Sequence, residues 1–111
     1  MKKHYRVQIA QNGKQDIKVM KTYILRQFKY RELAENFSKK IKRALKSLDT
    51  FPDGHQHTGF MYRGYQICMK PRDTYLIFYV VDESKQVVTV LRIMQDGMNW
   101  QSIIGRWIRE S

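Results

Sequence analysis

Along the chain the spacing of apolar side chains changes period several times, and each change marks an element. In residues 4–10, Tyr5, Val7 and Ile9 alternate with His4, Arg6 and Gln8, the two-residue period of a half-buried strand. Asn12 and Gly13 break that pattern. From about residue 14 to 27, Ile17, Met20, Ile24 and Phe28, with Tyr23 beside them, recur at intervals of three and four, the inner stripe of a helix. Tyr30 and Arg31 mark a turn. A second helix is predicted over about 32–48, with Leu33, Phe37, Ile41, Ala44, Leu45 and Leu48 as its apolar stripe and Lys39, Lys40, Lys42, Arg43 and Lys46 on its other faces. Joined by so short a turn, the two helices form an antiparallel hairpin.

Residues 49–59 read as a connector: Pro52, Asp53 and Gly54 are turn formers, and Phe51 is placed to plug the helix end. In residues 60–70, Tyr65, Ile67 and Met69 alternate with Gln66, Cys68 and Lys70, which predicts a strand; Pro71, Arg72 and Asp73 end it. Residues 75–81 are a nearly continuous aromatic and β-branched run, 82–85 are polar, and 87–93 are again rich in Val, Leu and Ile. A hairpin this apolar needs cover on at least one face, and the helices that precede it supply that cover. Three successive strands with short polar turns imply an antiparallel meander.

After a loop at 94–99 containing Gly97, the spacing of Trp100, Ile103, Ile104, Trp107 and Ile108 predicts a short C-terminal helix. Gly105 inside it costs about 1 kcal/mol relative to Ala, so the helix needs a docking surface, on this domain or on a partner. The expectation is one α+β domain over residues 1–111: an N-terminal strand, an antiparallel two-helix hairpin, a three-stranded antiparallel meander completing a twisted sheet, and a short C-terminal helix.

Charge changes this picture more than composition does. Lys plus Arg is 21 against 10 acidic residues, a net +11, and residues 1–50 hold 14 basic and 4 acidic side chains while 51–111 hold 7 and 6. The positive field thus belongs mainly to the helical half, and a polyanion, nucleic acid or an acidic protein segment, is the simplest partner. The one cysteine, Cys68, excludes an internal disulfide and reads as a core or sheet-face thiol. With no metal-ligand spacing, no nucleotide-binding glycine motif, no leader and no apolar run near 18 residues, the expectations are no metal, no cofactor, no membrane and a cytoplasmic location.

What chemistry remains lies in basic residues near strand ends: Arg63, Lys70, Arg72 and Arg92. Cleaving RNA through its 2′-hydroxyl needs positive groups on the scissile phosphate and a group that moves protons. Arginine serves the first need and, staying protonated, serves the second poorly. Tyr62, Tyr65, Tyr79 and His57 are the proton-moving candidates, each also readable as structural. Simple alternation puts Arg92 on the side of Val88 and Val90, where it either emerges at a cleft near Arg72 or pairs with an acid such as Asp73 or Asp96.

The order strand, two helices, connector, three strands, with YLIFYVVDESKQVVTVLRI and the following DGMNW, resembles the RelE/ParE superfamily of toxins from bacterial type II toxin–antitoxin systems. The match spans Tyr5 to Ile104 and is most specific at Tyr75, Ile77, Phe78, Tyr79, Val81, Asp82, Val90, Leu91, Arg92, Ile93 and Trp100. The resemblance implies a partner antitoxin with an acidic or amphipathic segment. It implies one of two activities: ribosome-dependent mRNA cleavage without a metal, as in RelE-like members, or inhibition of DNA gyrase without RNA cleavage, as in ParE-like members. For the first, the primary reading, Arg72, Arg92 and Tyr79 are the catalytic candidates, and Arg63, Lys70, Lys39, Lys42, Arg43 and Lys46 the RNA-binding ones. The chain departs from the family pattern after Met94: Gln95 stands where a histidine often occurs, and Gly97 and Met98 where arginines often occur. A toxin homologue with impaired catalysis that chiefly binds its antitoxin is the third reading.

Overall fold

The computed structural model describes residues 4–28, 30–49 and 56–110. In order they form strand β1 (Arg6–Ile9), helices α1 (Gln11–Phe28) and α2 (Arg31–Lys46), a 3₁₀ turn at Ser47–Asp49, strands β2 (Gln56–Tyr62), β3 (Tyr65–Arg72), β4 (Tyr75–Asp82) and β5 (Val87–Gln95), and helix α3 (Trp100–Glu110). The predicted α+β order holds. The stretch predicted as a single strand over 60–70 is in fact two, β2 and β3, folded at Arg63–Gly64, so the meander has four strands and the sheet five. Arg63 and Gly64 both take positive φ (51° and 86°), the backbone a two-residue hairpin needs. Arg-Gly lacks the Asn-Gly or Asp-Gly signature that announces such a turn. His57, expected in a loop, lies in β2, whereas Phe51, Pro52, Asp53, Gly54 and His55 fall outside the described residues.

The sheet order is β1-β5-β4-β3-β2, with β1 parallel to β5 and every other neighbour antiparallel. Each face carries its own core. Tyr79, Ile77, Val88, Val90, Ile93 and Cys68 meet Phe37, Ile41, Ala44 and Leu45 of α2, with Ile17, Met20 and Ile24 of α1 packed alongside. On the reverse face Ile67, Phe78, Val80, Leu91 and Met94 meet Ile104 of α3, flanked by Trp100, Ile103, Trp107 and Ile108. This explains the continuous apolar run of β4: its odd residues serve one core and its even residues the other. Cover on one face was expected from the N-terminal helices; the C-terminal helix covers the second. Its two tryptophans pack on this domain, Trp107 stacked on Tyr62 at 5.1 Å and Trp100 against Phe78 at 5.6 Å.

One irregularity re-aims the end of β5. Phe78 stands opposite Arg92, yet the next residue, Tyr79, stands opposite Val90, leaving Leu91 as an extra residue in a β-bulge. Val88 and Val90 therefore face the α1–α2 layer, while Leu91, Arg92 and Met94 share the α3 side with Phe78 and Leu76. Arg92 does not share the side of Val88 and Val90, as strict alternation predicted.

Helix α1 crosses close to β5, and Gly13 makes that possible. A Cβ at Gly13 would lie 3.0 Å from Cγ2 of Ile9 and 3.2 Å from the carbonyl oxygen of Val90, whereas a Cβ at Gly105 of α3 would meet Phe60 at an ordinary 3.5 Å. The two helix glycines should respond with opposite signs. Gly13→Val is expected to destabilise by about 2 kcal/mol or more through overpacking, and Gly105→Ala to stabilise by up to about 1 kcal/mol through helix propensity. Urea denaturation of the two variants checks both.

Candidate functional site

The predicted basic and aromatic candidates separate into distinct locations. Arg72 stands opposite Tyr75, whose ring belongs to the α1–α2 core, so Arg72 and its neighbour two residues back, Lys70, face the helical hairpin. Lys70 Nζ donates to Ser47 Oγ at 2.6 Å, and Ser47 Oγ donates to the Ala44 carbonyl at 2.6 Å, which ties the end of β3 to the end of α2. Burial first, then the charge of Arg72, holds the Lys70 ammonium below the usual lysine range. Lys39, Lys40, Lys42, Arg43 and Lys46 are all exposed on α2. This part of the sequence reading assembles: five cations of one helix, with Lys70 and Arg72 at its end.

Arg92 is elsewhere. Its Nε donates to Asp16 Oδ2 at 2.7 Å and its Nη2 to Asp16 Oδ1 at 3.1 Å, a two-pronged ion pair with the side chains only 19% and 16% exposed. The guanidinium also lies 5.5 Å from the centre of the Trp107 ring. The expected acid, Asp73 or Asp96, is replaced by Asp16 of α1. Arg72 and Arg92 do not converge: they lie on opposite faces of the sheet, two strands apart.

Tyr79 has no exposed surface and sits in the core between sheet and helices. That replaces its catalytic reading with a packing one. Arg63 occupies the β2–β3 turn over the Tyr62 ring at 5.1 Å, at the far end of β3 from Arg72, roughly 25–30 Å away by strand rise. Tyr62 is spent on Trp107, the Tyr65 hydroxyl donates to Asp82 at 3.0 Å, and His57 is exposed on β2. Cys68 is buried in the α1–α2 core. Among the described residues no cluster of His, Cys, Asp or Glu could hold a metal ion, and no helix is long and apolar enough to cross a membrane.

Two features were missed. Asp16 is the one acid of α1, among Lys14, Lys18, Lys21 and Arg26, and that isolation was the available signal. The second is exposed apolar surface: Tyr23, Phe28 and Leu33, assigned to inner helical stripes, are 55%, 52% and 41% exposed. They line a groove of about 640 Å³ with Lys39, Lys40, Arg43 and Tyr75. Tyr23 also borders a second groove of about 310 Å³, lined by Val19, Met20, Met94 and Met98 with Asp16 and Arg92.

The family described as "ParE toxin of type II toxin-antitoxin system, parDE" matches residues 7–100 of the chain. Among solved structures, a chain of the chromosomal ParDE toxin–antitoxin system from P. aeruginosa superposes with TM-score 0.64, at 13% identity over 84% of this chain and 97% of its own. A chain of the toxin–antitoxin complex RelBE2 from Mycobacterium tuberculosis gives TM-score 0.58, at 15% identity over 86% of this chain and 95% of its own. At these identities the likeness is one of fold, common to both kinds of toxin. A comparison with curated protein sequences found no match.

Two substitutions separate scaffold from surface. Asp16→Ala leaves the Arg92 charge half-buried without its partner and is expected to cost about 2–3 kcal/mol, read as a lowered urea midpoint. Lys70→Met removes a charge that burial disfavours, so its Tm should stay within about 3 °C of the parent or rise, as differential scanning fluorimetry would report.

Proposed function

The chain belongs to the ParE toxin family of type II toxin–antitoxin systems, and on that premise we propose that it is a toxin that acts without cleaving RNA, with DNA gyrase as the target it inhibits. The observation that carries this reading is the placement of Arg92. An RNA-cleaving site needs its phosphate-holding cations and its proton carrier around one scissile bond. Here Arg92 is turned to the face opposite Arg72 and held by Asp16. Tyr79 is enclosed in the core, and the end of β5 and the turn after it offer Gln95, Gly97 and Met98 in place of a histidine and arginines. Lys70 beside Arg72 is the remaining pair of cations able to hold a phosphate.

The partner is an antitoxin with an acidic, amphipathic segment. The groove at Tyr23, Phe28 and Leu33 supplies the apolar floor, and Lys39, Lys40 and Arg43 the positive rim. Such a segment would insert apolar side chains between α1 and α2 and set its carboxylates against the rim, the helix-in-groove mode of recognition.

The deciding experiment pairs two assays on the purified chain. Supercoiling by purified gyrase is expected to fall with added toxin and to recover when antitoxin is added. Message 5′ ends mapped after translation on purified ribosomes are expected to match the toxin-free control. Unchanged supercoiling together with codon-phased cleavage that Lys70→Met or Arg72→Ala abolishes would overturn the proposal in favour of a ribosome-dependent nuclease.

A further inference from the structure

We propose that Lys70 is a site of chemical acylation by acyl phosphates, with Arg72 holding the phosphoryl group of the donor and Lys70 taking its acyl group. The inference does not depend on which target the toxin inhibits. Lysines ordinarily react in order of exposure, and by that rule Lys70 should come last. Among the described residues it is the one lysine that is half-buried; the others, from Lys14 to Lys85, are all exposed. Three features of its surroundings reverse that order.

The first is the hydrogen bond at its tip. Ser47 Oγ donates its proton to the Ala44 carbonyl at 2.6 Å, and so has only lone pairs to offer the Lys70 Nζ, 2.6 Å away. An amine held there donates one N–H and keeps its own lone pair free. A carboxylate partner would instead pin the nitrogen as an ammonium, and no salt bridge among the described residues engages Lys70 or Arg72. The second feature is the setting: burial, then the Arg72 charge, disfavours the ammonium, and these are two of the means by which a lysine becomes a nucleophile. The third selects the donor. Arg72 is exposed and lies two residues further along β3 on the same face, about 7 Å away by strand rise. Its guanidinium matches a pair of phosphoryl oxygens. An acyl phosphate carries its reactive carbonyl one bridging oxygen away from that phosphoryl group, so a donor held by Arg72 presents the carbonyl to Lys70. A thioester has no such group beside its carbonyl.

The step balances without a further reactant. The Lys70 nitrogen adds to the acyl carbon, the bond from that carbon to the bridging oxygen breaks, and the amine proton leaves on the departing inorganic phosphate. The product amide keeps an N–H for Ser47 Oγ, so β3 stays tied to α2 while the end of the cationic helix loses one neighbouring charge.

The test treats the full chain with acetyl phosphate or with acetic anhydride, an acyl donor without a phosphoryl group, and follows each lysine by peptide mass spectrometry. With acetyl phosphate, Lys70 should be acetylated about fivefold or more faster than the exposed Lys14, Lys18 and Lys85. Arg72→Gln should slow acetylation of Lys70 about tenfold with acetyl phosphate and about threefold or less with the anhydride, since only the first donor uses the guanidinium. Circular dichroism checks that the variant folds. A second measurement needs no variant: inorganic phosphate should protect Lys70 from acetyl phosphate and leave Lys14, Lys18 and Lys85 unprotected. Lys70 reacting no faster than the exposed lysines, equal slowing with both donors, or protection shared by all lysines would each overturn the proposal.

Discussion

A strand that stops too soon sets the central constraint of this fold. β1 spans only Arg6–Ile9 and pairs with Val87–Val90, and the amide of Ala10 closes the ladder on the Val90 carbonyl at 2.8 Å. From Leu91 onward β5 has no strand on that side, and the Ile93 amide would be left without an acceptor at a cost of about 1–3 kcal/mol. Asp16 supplies one: its Oδ2 accepts from the Ile93 amide at 3.0 Å while the same carboxylate holds Arg92. A side chain one turn into α1 thus does the work of the next β1 residue. Gly13 gives the helix backbone the clearance to bring it there.

The consequences run through both layers. Arg92 is fixed by a helix on one side of the sheet and lies against Trp107 of the helix on the other, and Trp107 in turn stacks on Tyr62 of the far edge strand β2. The bulge at Leu91 makes this bridge possible, because it moves Arg92 to the α3 side while keeping Ile93 in the α1–α2 core. An arginine that can be read as a phosphate ligand from its place in VLRIM is instead a tie between layers. Its charge is already matched by a carboxylate, so recruiting it to a phosphate would first require breaking two charge-assisted hydrogen bonds.

What could be read from the sequence follows from which interactions are local. β1, α1, α2, β4, β5 and α3 each carry their own period over enough residues to be recognised, and the family motif spans the β4–β5 hairpin. The β2–β3 hairpin was not legible because β2 is an edge strand interrupted at Gly59, which takes φ of +87°, and its turn uses Arg63 rather than Asn or Asp. The bulge at Leu91 has no composition of its own; it appears only when β4 and β5 are set in register. Likewise the choice of Asp16 over Asp73 or Asp96 depends on where α1 crosses β5, a contact across 76 residues of sequence. The basic face of α2 was legible because a helix displays its own pattern, whereas the exposure of Tyr23, Phe28 and Leu33 depended on how far the sheet extends beneath the hairpin.

The two surfaces of the helical hairpin are not independent. The apolar groove takes Lys39, Lys40 and Arg43 as its rim, and the cationic face of α2 uses Lys39 and Arg43 as well. An acidic segment seated in the groove would neutralise charges that any other anionic partner of that face would otherwise meet. Two anionic partners that shared those cations would weaken each other by the same factor, since linkage is reciprocal. A chain with a net charge of +11 concentrates much of its field where these surfaces overlap, so a partner there changes the electrostatics of the whole helical half. Arg92, already neutralised by Asp16, contributes least to that exchange. Scaffold charge and surface charge are thus kept apart, one sealed at the sheet edge and the others left to partners.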